Sequence, residues 1–153
     1  MNGKIHGDYF QYHPNGKLEQ KMSYKQGNKD GKHTGYYENG QINGISYYSN
    51  NVLNGDYVVY YSNGKNKTTG YYDNGEPRRT WIYYDEDGDY RKYQYTIYRV
   101  GAICNDGWRS SATGQGACSW HGGVRYWLTE TKRVFVSGTG KYKNNNQNQF
   151  RYY

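Results

Sequence analysis

The chain has 153 residues, of which only 34% are hydrophobic, and it carries 20 Lys and Arg against 13 Asp and Glu. It lacks an apolar run near the ~18 residues that a membrane span requires, so we expect no membrane-spanning helix. High polarity is typical of disorder, yet 22 residues are tyrosine, and disordered segments are poor in aromatic residues. A thin β structure faced with tyrosine satisfies both observations, because tyrosine can bury its ring and keep its hydroxyl in water.

A 24-residue period marks the first 88 residues of the chain. Tyr12, Tyr36, Tyr60 and Tyr84 occupy one column without exception, and Gly7, Gly31, Gly55 and Arg79 occupy another. A constant period predicts a repeat array, whose usual role is recognition rather than chemistry. The turns recur with the same offset, at Asn15-Gly16, Asn39-Gly40, Asn63-Gly64 and Asp87-Gly88.

Each repeat reads as a β-hairpin. Asn-Gly between two strand-like runs favours a type I′ turn, in which both residues take positive φ. The sequence therefore predicts an all-β fold, an elongated antiparallel meander of hairpins with no helix in residues 1–96. The expected strands lie near residues 8–13, 17–25, 32–38, 41–48, 56–62, 65–72, 80–86 and 89–97.

Alternation along these strands assigns the aromatic columns to two faces. Phe10, Thr34, Val58 and Ile82 share a face with the invariant tyrosine column, and we expect this face to be the better packed one. The opposite face is predicted to contact solvent and to bind a protein partner. Its candidate contact residues are Tyr9, His33, Tyr57 and Trp81.

The repeat register also describes how the array starts. Residues 2–7 match residues 26–31, so the first repeat begins halfway through a unit. Either the natural chain starts upstream, or the first strand is an exposed edge that needs a cap or a partner. The second interpretation permits self-association through this edge strand.

The net positive charge of the chain comes entirely from its second part. Residues 1–88 hold ten Lys and Arg and ten Asp and Glu, whereas residues 89–153 hold ten and three. This shift predicts two domains, a repeat array over residues 1–96 and a small basic C-terminal domain over residues 97–153. The basic tail leaves nucleic acid or an anionic surface as a further alternative partner. A membrane partner is less favoured, because adjacent Lys and Arg never form a cluster of four.

Two repeat segments, GKHTGYYENG and GDYVVYYSNG, resemble the MORN-variant repeat, a β-hairpin unit of bacterial repeat proteins. The resemblance covers about residues 2–96. Bacterial proteins built from such repeats include a family of antitoxins, whereas other MORN repeats are associated with membrane lipids or scaffold assembly. The resemblance thus implies a non-enzymatic protein-binding module, most specifically an inhibitor, immunity or antitoxin-like protein that needs no cofactor.

Residues 104–128 resemble a short bacterial domain of uncharacterised function, which starts with Cys-x-Asp-Gly and ends with Cys-Ser-x-His-Gly-Gly-Val. Proteins with this pattern are commonly exported. No activity follows from the resemblance.

One cluster in the tail has side chains that could carry out chemistry or bind a metal. It consists of Cys104, Cys118 and His121. A disulfide would close a 15-residue loop and stabilise it by ~3 kcal/mol, and it would indicate an exported protein. Reduced, inert cysteines would indicate a cytoplasmic one. A zinc site lacks a fourth ligand at the usual spacing. A Cys118–His121 nucleophile pair lacks a group to orient it. A secreted enzyme or metal-binding module in this segment is therefore the alternative function.

Several short motifs in the last repeat and in the tail read as backbone turns. The acidic run at residues 85–89 lacks the ligand spacing of a calcium loop, and Gly122-Gly123 lacks the residues of a phosphate loop. Residues 138–140 predict a hairpin turn, and Val124, Trp127 and Leu128 have the spacing of a short helix over residues 123–128. Residues 144–149 predict either a loop before a final strand at 150–153 or a disordered tail.

Overall fold

The computed structural model describes residues 3–143, and within that range it is almost entirely antiparallel β-sheet. The all-β prediction is confirmed. No helix in the described range is long and apolar enough to cross a membrane. The strands are β1 (Gly7–Tyr12), β2 (Leu18–Lys25), β3 (Asn28–Tyr36), β4 (Ile42–Ser49), β5 (Val52–Leu53), β6 (Gly55–Tyr60), β7 (Asn66–Asp73), β8 (Glu76–Tyr84), β9 (Tyr90–Cys104), β10 (Arg109–Ser110) and β11 (Val124–Gly138). A 3-10 helix follows at Gly140–Tyr142.

The chain divides into two compact units, one of residues 3–94 with 135–143 and one of residues 95–134. The first boundary lies two residues from the one predicted near residue 96. The predicted C-terminal domain differs in that residues 135–143 belong to the first unit. The cause is visible at Tyr90, whose backbone N–H bonds to the Thr139 side chain while its carbonyl accepts from the Thr139 N–H. Lys141 adds an ion pair with Asp85 at 2.6 Å.

The first unit is a meander in which each strand pairs with its neighbour in sequence, in the order β1-β2-β3-β4-β6-β7-β8-β9, with the short β5 also on β4. Each of the first three hairpins has the same register shift, at Gln11/Tyr12, Gly35/Tyr36 and Val59/Tyr60. The conserved shift keeps each repeat in step with the next. Equivalent side chains of successive strands therefore lie side by side and form rows across the sheet.

The two turns of each repeat differ from each other, and the Asn-Gly turn is not of the predicted type. At the Asn-Gly turns only the glycine has positive φ, for example 80° at Gly16, and the His13 N–H bonds to the Lys17 carbonyl. This geometry is a three-residue loop with one left-handed glycine, and the Asn15 side chain accepts from the Lys17 N–H. The turns in which both residues have positive φ lie in the other column, at Gln26-Gly27, Asn50-Asn51 and Asn74-Gly75. The type I′ prediction was therefore wrong for the Asn-Gly column.

Two predictions for the tail are also wrong. Residues 123–128 form no helix, because Val124 begins the 15-residue strand β11, whose β-branched and aromatic side chains favour an extended chain. Residues 138–140 form no hairpin turn, since the chain continues into the 3-10 helix. The predictions for residues 144–149 and 150–153 lie outside the described residues.

The second unit has a small core of its own. Ala102, Cys104, Ala117 and Cys118 are buried together, and Val124 and Trp127 pack against them. β10 pairs with β9, Ser110 opposite Ala102. A core of two alanines and two half-cystines buries little apolar surface, so covalent cross-linking contributes strongly to this unit.

Candidate recognition surface

One face of the first unit carries a row of aromatic pairs, which we term the ring face. It comprises Tyr9, Tyr24, His33, Tyr48, Tyr57, Tyr72 and Trp81. Each ring of the Tyr9 column meets the edge of a ring from the Tyr24 column, with centroids 6.1 Å apart for Tyr9–Tyr24 and 5.4 Å apart for Tyr57–Tyr72. His33 and Tyr48 repeat the arrangement at 6.2 Å. Edge-to-face contacts of this kind stabilise beyond the area they bury.

The structure brings the four predicted contact residues onto this face, but it does not expose them all. Tyr9 is exposed, His33 and Tyr57 are half-buried, and Trp81 is only 4% exposed. The Trp81 ring lies over Gly70, between Tyr57 at 5.6 Å and Tyr72 at 5.0 Å. Trp81 is therefore a packing residue, and its predicted role as a solvent-facing contact is wrong.

The opposite face is not the better packed one throughout. Thr34 is buried there, yet Phe10 and Tyr12 are 45% and 60% exposed. In the predicted packing face, rings thus lie in solvent at β1, while the ring face buries Met22, Ser46 and Trp81. Sequence alternation placed the residues on the correct faces, but it carried no information on which face is covered.

A groove of about 390 Å³ opens on the ring face between the second and third repeats. Gly35 and Gly44, which are paired directly across β3 and β4, line it, and the Asn43 side chain lies over Gly35. The corresponding pairs in the neighbouring repeats are Gln11–Gln20 and Val59–Thr68, so only this repeat lacks both side chains. The walls are formed by His33, Tyr37, Asn43, Tyr48 and Tyr57.

A chain of hydrogen bonds runs along the ring face beside the groove. The His33 Nε2–H donates to the Gln20 Oε1 at 3.0 Å, since that amide oxygen only accepts. Gln20 donates in turn to Gln11, and Gln11 donates to the Glu19 carboxylate. The other imidazole nitrogen lies 3.3 Å from the Ser46 hydroxyl. Burial, with a smaller effect of Lys29, lowers the pKa of His33, so the neutral ring is favoured.

Several residues of this groove could not be predicted from the sequence. Gly35, Gly44, Ser46 and Tyr48 line it, and none was singled out as a candidate. The signal was present in the repeat alignment, where two glycines replace the side chains of the other repeats at facing positions. Its meaning required the strand register, which determines that these positions are neighbours.

In the second unit, Cys104 and Cys118 are joined by a disulfide with their Cα atoms 5.3 Å apart. Neither sulfur is thus available as a nucleophile or as a thiolate ligand for zinc. The proposed Cys118–His121 nucleophile pair and the zinc site on Cys104, Cys118 and His121 do not fit this arrangement. Within residues 3–143, no three His, Cys, Asp or Glu side chains are grouped to hold a metal.

His121 has a different partner from the one that the sequence suggested. Its Nδ1 lies 2.6 Å from the Asp106 carboxylate, and its ring stacks in parallel on Trp108 with centroids 5.1 Å apart. The Trp108 backbone N–H and His121 both lower the pKa of Asp106. The carboxylate therefore orients an imidazole whose second nitrogen is not used by this bond. Trp120, the preceding residue, is 95% exposed.

Comparison with known protein families gives two matches. Residues 5–26 and 29–50 match the MORN repeat variant, and residues 99–128 match a domain of unknown function, DUF3761. The array is similar to MORN-variant repeats. This match confirms the resemblance for the first two repeats, and MORN repeats are commonly protein- or membrane-binding modules. No curated protein and no solved structure matches the chain.

Proposed function

We propose that this chain is a non-enzymatic protein-recognition module that binds its partner with the ring face of the repeat array. The observation that carries the proposal is the groove beside Gly35 and Gly44, with aromatic walls at Tyr48 and Tyr57 and hydrogen-bonding groups at His33 and Asn43. Mixed aromatic and polar pockets of this kind hold the anchoring side chains of protein partners. Tyrosine provides contact area at a low entropic cost.

The most specific form of the proposal is that binding neutralises a toxin or effector-like protein. Its support is the similarity of the array to MORN-variant repeats, which in bacterial proteins include antitoxins, together with the absence of net charge over residues 1–88. The disulfide of the second unit favours an oxidising compartment, since such bonds persist outside the reducing cytosol. We therefore place the interaction in an exported setting.

Matched variants on two faces test the proposal. Tyr57→Ala removes a groove wall, whereas Tyr47→Ala removes a half-exposed ring from the other face of the adjacent strand. Affinity capture from the source cells should recover the same partner with the native protein and with Tyr47→Ala. Tyr57→Ala should weaken binding of that partner by more than ~1 kcal/mol, with folding checked by thermal unfolding. Equal binding by both variants would contradict recognition through the ring face.

A second candidate function rests on the Asp106–His121 pair. An imidazole oriented by a carboxylate is the arrangement of a general base, and the exposed Trp108 and Trp120 would hold a substrate near it. His121→Ala and Asp106→Asn separate the two candidates. Recognition predicts that both variants bind the partner normally. An enzyme in the second unit would be favoured if His121→Ala and Asp106→Asn abolished the biological activity of the protein while Tyr57→Ala retained it.

A further inference from the structure

Glycine leaves gaps in the ring face, and the chain fills one of them with its own indole. At Gly70 the space of the missing side chain holds the Trp81 ring. That ring packs against Tyr57 and Tyr72, with centroids 5.6 and 5.0 Å away. Its Nε1–H donates to the Arg78 carbonyl at 3.1 Å. A glycine of this sheet thus accepts a flat indole, provided that the indole N–H has an acceptor.

A second gap lies in the groove, at Gly44. A Cβ added to Gly44 would have its nearest neighbours in β6, the Val58 carbonyl oxygen at 3.1 Å and the Val59 side chain at 3.9 Å. These atoms belong to a backbone and to an aliphatic side chain, whereas the atoms nearest to the gap at Gly70 are those of an indole. The groove has a volume of about 390 Å³, within the range of ligand pockets, so it has room for the largest natural side chain.

The Asn43 amide is a polar group of the groove that is left for a ligand. Both ring nitrogens of His33 lie within hydrogen-bond distance of partners, and Tyr37 donates its hydroxyl to the Tyr60 carbonyl. The Asn43 side chain lies over Gly35, beside the gap, and among residues 3–143 its amide has no hydrogen-bond partner. An amide oxygen accepts from an N–H donor. A ligand that carries a ring N–H would therefore satisfy this oxygen.

The charge of the groove restricts its occupant to a neutral group. As far as residues 3–143 form it, the lining contains no Asp, Glu, Lys or Arg, and burial favours the neutral form of His33 by lowering its pKa. Outside the lining, the Lys29 ammonium lies over the Tyr48 ring, 5.4 Å from the centroid. A cationic anchor would be repelled by this charge. An anionic anchor would lose its hydration in a groove that has no cation of its own.

We propose that the groove receives a tryptophan side chain of the protein partner. The indole lies over Gly44 and against Val59, as the chain's own indole lies over its glycine, with aromatic walls at Tyr48 and Tyr57. Its N–H donates to the Asn43 amide oxygen. Tryptophan is enriched among the residues that anchor protein interfaces. This inference rests on the proposed function, since the groove belongs to the ring face, and it specifies the chemistry of the anchor.

Three neutral probes test the proposal on the full chain. N-acetyl-tryptophanamide carries the indole with its N–H, N-acetyl-phenylalaninamide carries a ring without a donor, and N-acetyl-leucinamide carries neither. For the tryptophan probe we expect saturable shifts of the backbone amide signals of Gly44, Ser46 and Val59. The phenylalanine probe should bind about 2- to 10-fold more weakly, because it lacks the hydrogen bond. The leucine probe should bind at least about 10-fold more weakly, because it also lacks the aromatic contacts.

Variants separate the hydrogen bond from the shape of the groove. Asn43→Ala should weaken binding of the tryptophan probe about 2- to 10-fold and leave the phenylalanine probe unchanged. Gly44→Val fills the gap and should abolish binding of both rings. Tyr47→Ala, on the other face of β4, should bind the probes like the native chain. Thermal unfolding checks each variant, and Asn43→Ala decides by itself if Gly44→Val does not fold.

The proposal is overturned if the tryptophan probe gives no saturable shifts up to about 10 mM, a concentration at which even a weak anchor is bound. Equal binding of the tryptophan and leucine probes also overturns it. So do shifts confined to the second unit, where Trp108 and Trp120 are exposed.

Failure of this inference differs from failure of the proposed function. If the probe does not bind and Tyr57→Ala still loses the partner, only the tryptophan anchor is wrong, because the ring face then binds through another group. If the probe fills the groove and Tyr57→Ala keeps the partner, the proposed function is wrong, and the groove remains a site for an indole.

Discussion

The Tyr37 hydroxyl donates to the backbone carbonyl of Tyr60, 2.7 Å away, and 24 residues later Tyr61 makes the same bond to Tyr84. The two adjacent columns, Tyr36/Tyr60/Tyr84 and Tyr37/Tyr61, thus contribute different groups to the bonds between repeats. The first column offers its backbone oxygen to the preceding repeat, and the second donates its hydroxyl to the following one. Such bonds add to the coupling between neighbouring repeats that strand pairing, as between β4 and β6, supplies.

Removing one hydroxyl should therefore weaken the array measurably. We expect Tyr37→Phe and Tyr61→Phe each to lower the free energy of unfolding by about 1 kcal/mol, since each leaves a half-buried carbonyl without its donor. Urea denaturation followed by circular dichroism measures the loss. Tyr126→Phe is the matched control, because Tyr126 is exposed in the second unit. We expect this variant to unfold at the urea midpoint of the native protein. A change no larger than that of the control would show that the bond adds nothing.

Much of this array could be predicted from the sequence because its information is local and repeated. Face assignments follow from alternation, and each of the eight predicted strands overlaps a strand of the structure. Their bounds differ at β3 and β8, which begin four residues before the predicted starts, and at β9, which continues to Cys104, while the short β5 was not predicted. Turn type did not follow, because the Asn15 side chain helps to close a three-residue loop by accepting from the Lys17 backbone N–H. The burial of Trp81 could not be predicted from the sequence either. Its burial results from Gly70 on the neighbouring strand, a contact that period and alternation cannot reveal.

The contacts of Cys104, Cys118 and His121 in the tail could not be predicted from the sequence either. The spacing of Cys104 and Cys118 permitted a disulfide without requiring one, and the Asp106–His121 bond joins residues 15 apart in a segment rich in turns. Left-handed backbone at Cys118, Gly122 and Gly123 folds this segment back on itself. Such conformations are set by the closed loop as a whole, so no periodic signal marks them in the sequence.

The Asn-Gly turns yield a prediction that isolates backbone conformation from packing. Gly64 has a φ of 81°, and a Cβ added there would meet nothing within 4 Å. Gly64→Val should destabilise the hairpin by about 1–2 kcal/mol, because a β-branched residue resists positive φ. Gly64→Asn should cost much less, since asparagine tolerates the left-handed region. Thermal unfolding of the pair checks this. Similar melting temperatures for the two variants would contradict a left-handed requirement at the turn.

His33 makes the stability of the array depend on pH. Its pKa is lowered in the fold by burial and by Lys29, so the unfolded chain binds this proton at a higher pH than the folded chain. Stability is therefore full above the ordinary histidine pKa of about 6.5 and falls as the pH decreases through the lowered value. Carboxylates titrate below this window, so the loss between about pH 7.5 and 5.5 reports histidines.

The matched variants are His33→Gln and His6→Gln, the latter at an exposed position before β1. We expect His33→Gln to flatten the dependence of the urea midpoint on pH in this window, whereas His6→Gln should retain the native slope. If both variants keep the slope, the proton uptake belongs to another group, and burial of His33 has no consequence for stability.

Reduction of the Cys104–Cys118 bond should act on the second unit and spare the first. The bond closes a loop of 15 residues, which stabilises the fold by ~3 kcal/mol in the chain-entropy model, and the surrounding core consists of only four small buried residues. In a Cys104→Ser/Cys118→Ser variant, we expect amide exchange at Ala102 and Ala117 to accelerate by about 100-fold, equivalent to that energy. Exchange at Thr34 and Ser46, buried in the first unit, should keep its native rate, because the rows of paired strands hold that unit without the disulfide. A parallel acceleration at Thr34 would mean that the two units unfold together, and the division of the chain at residue 95 would then have no energetic meaning.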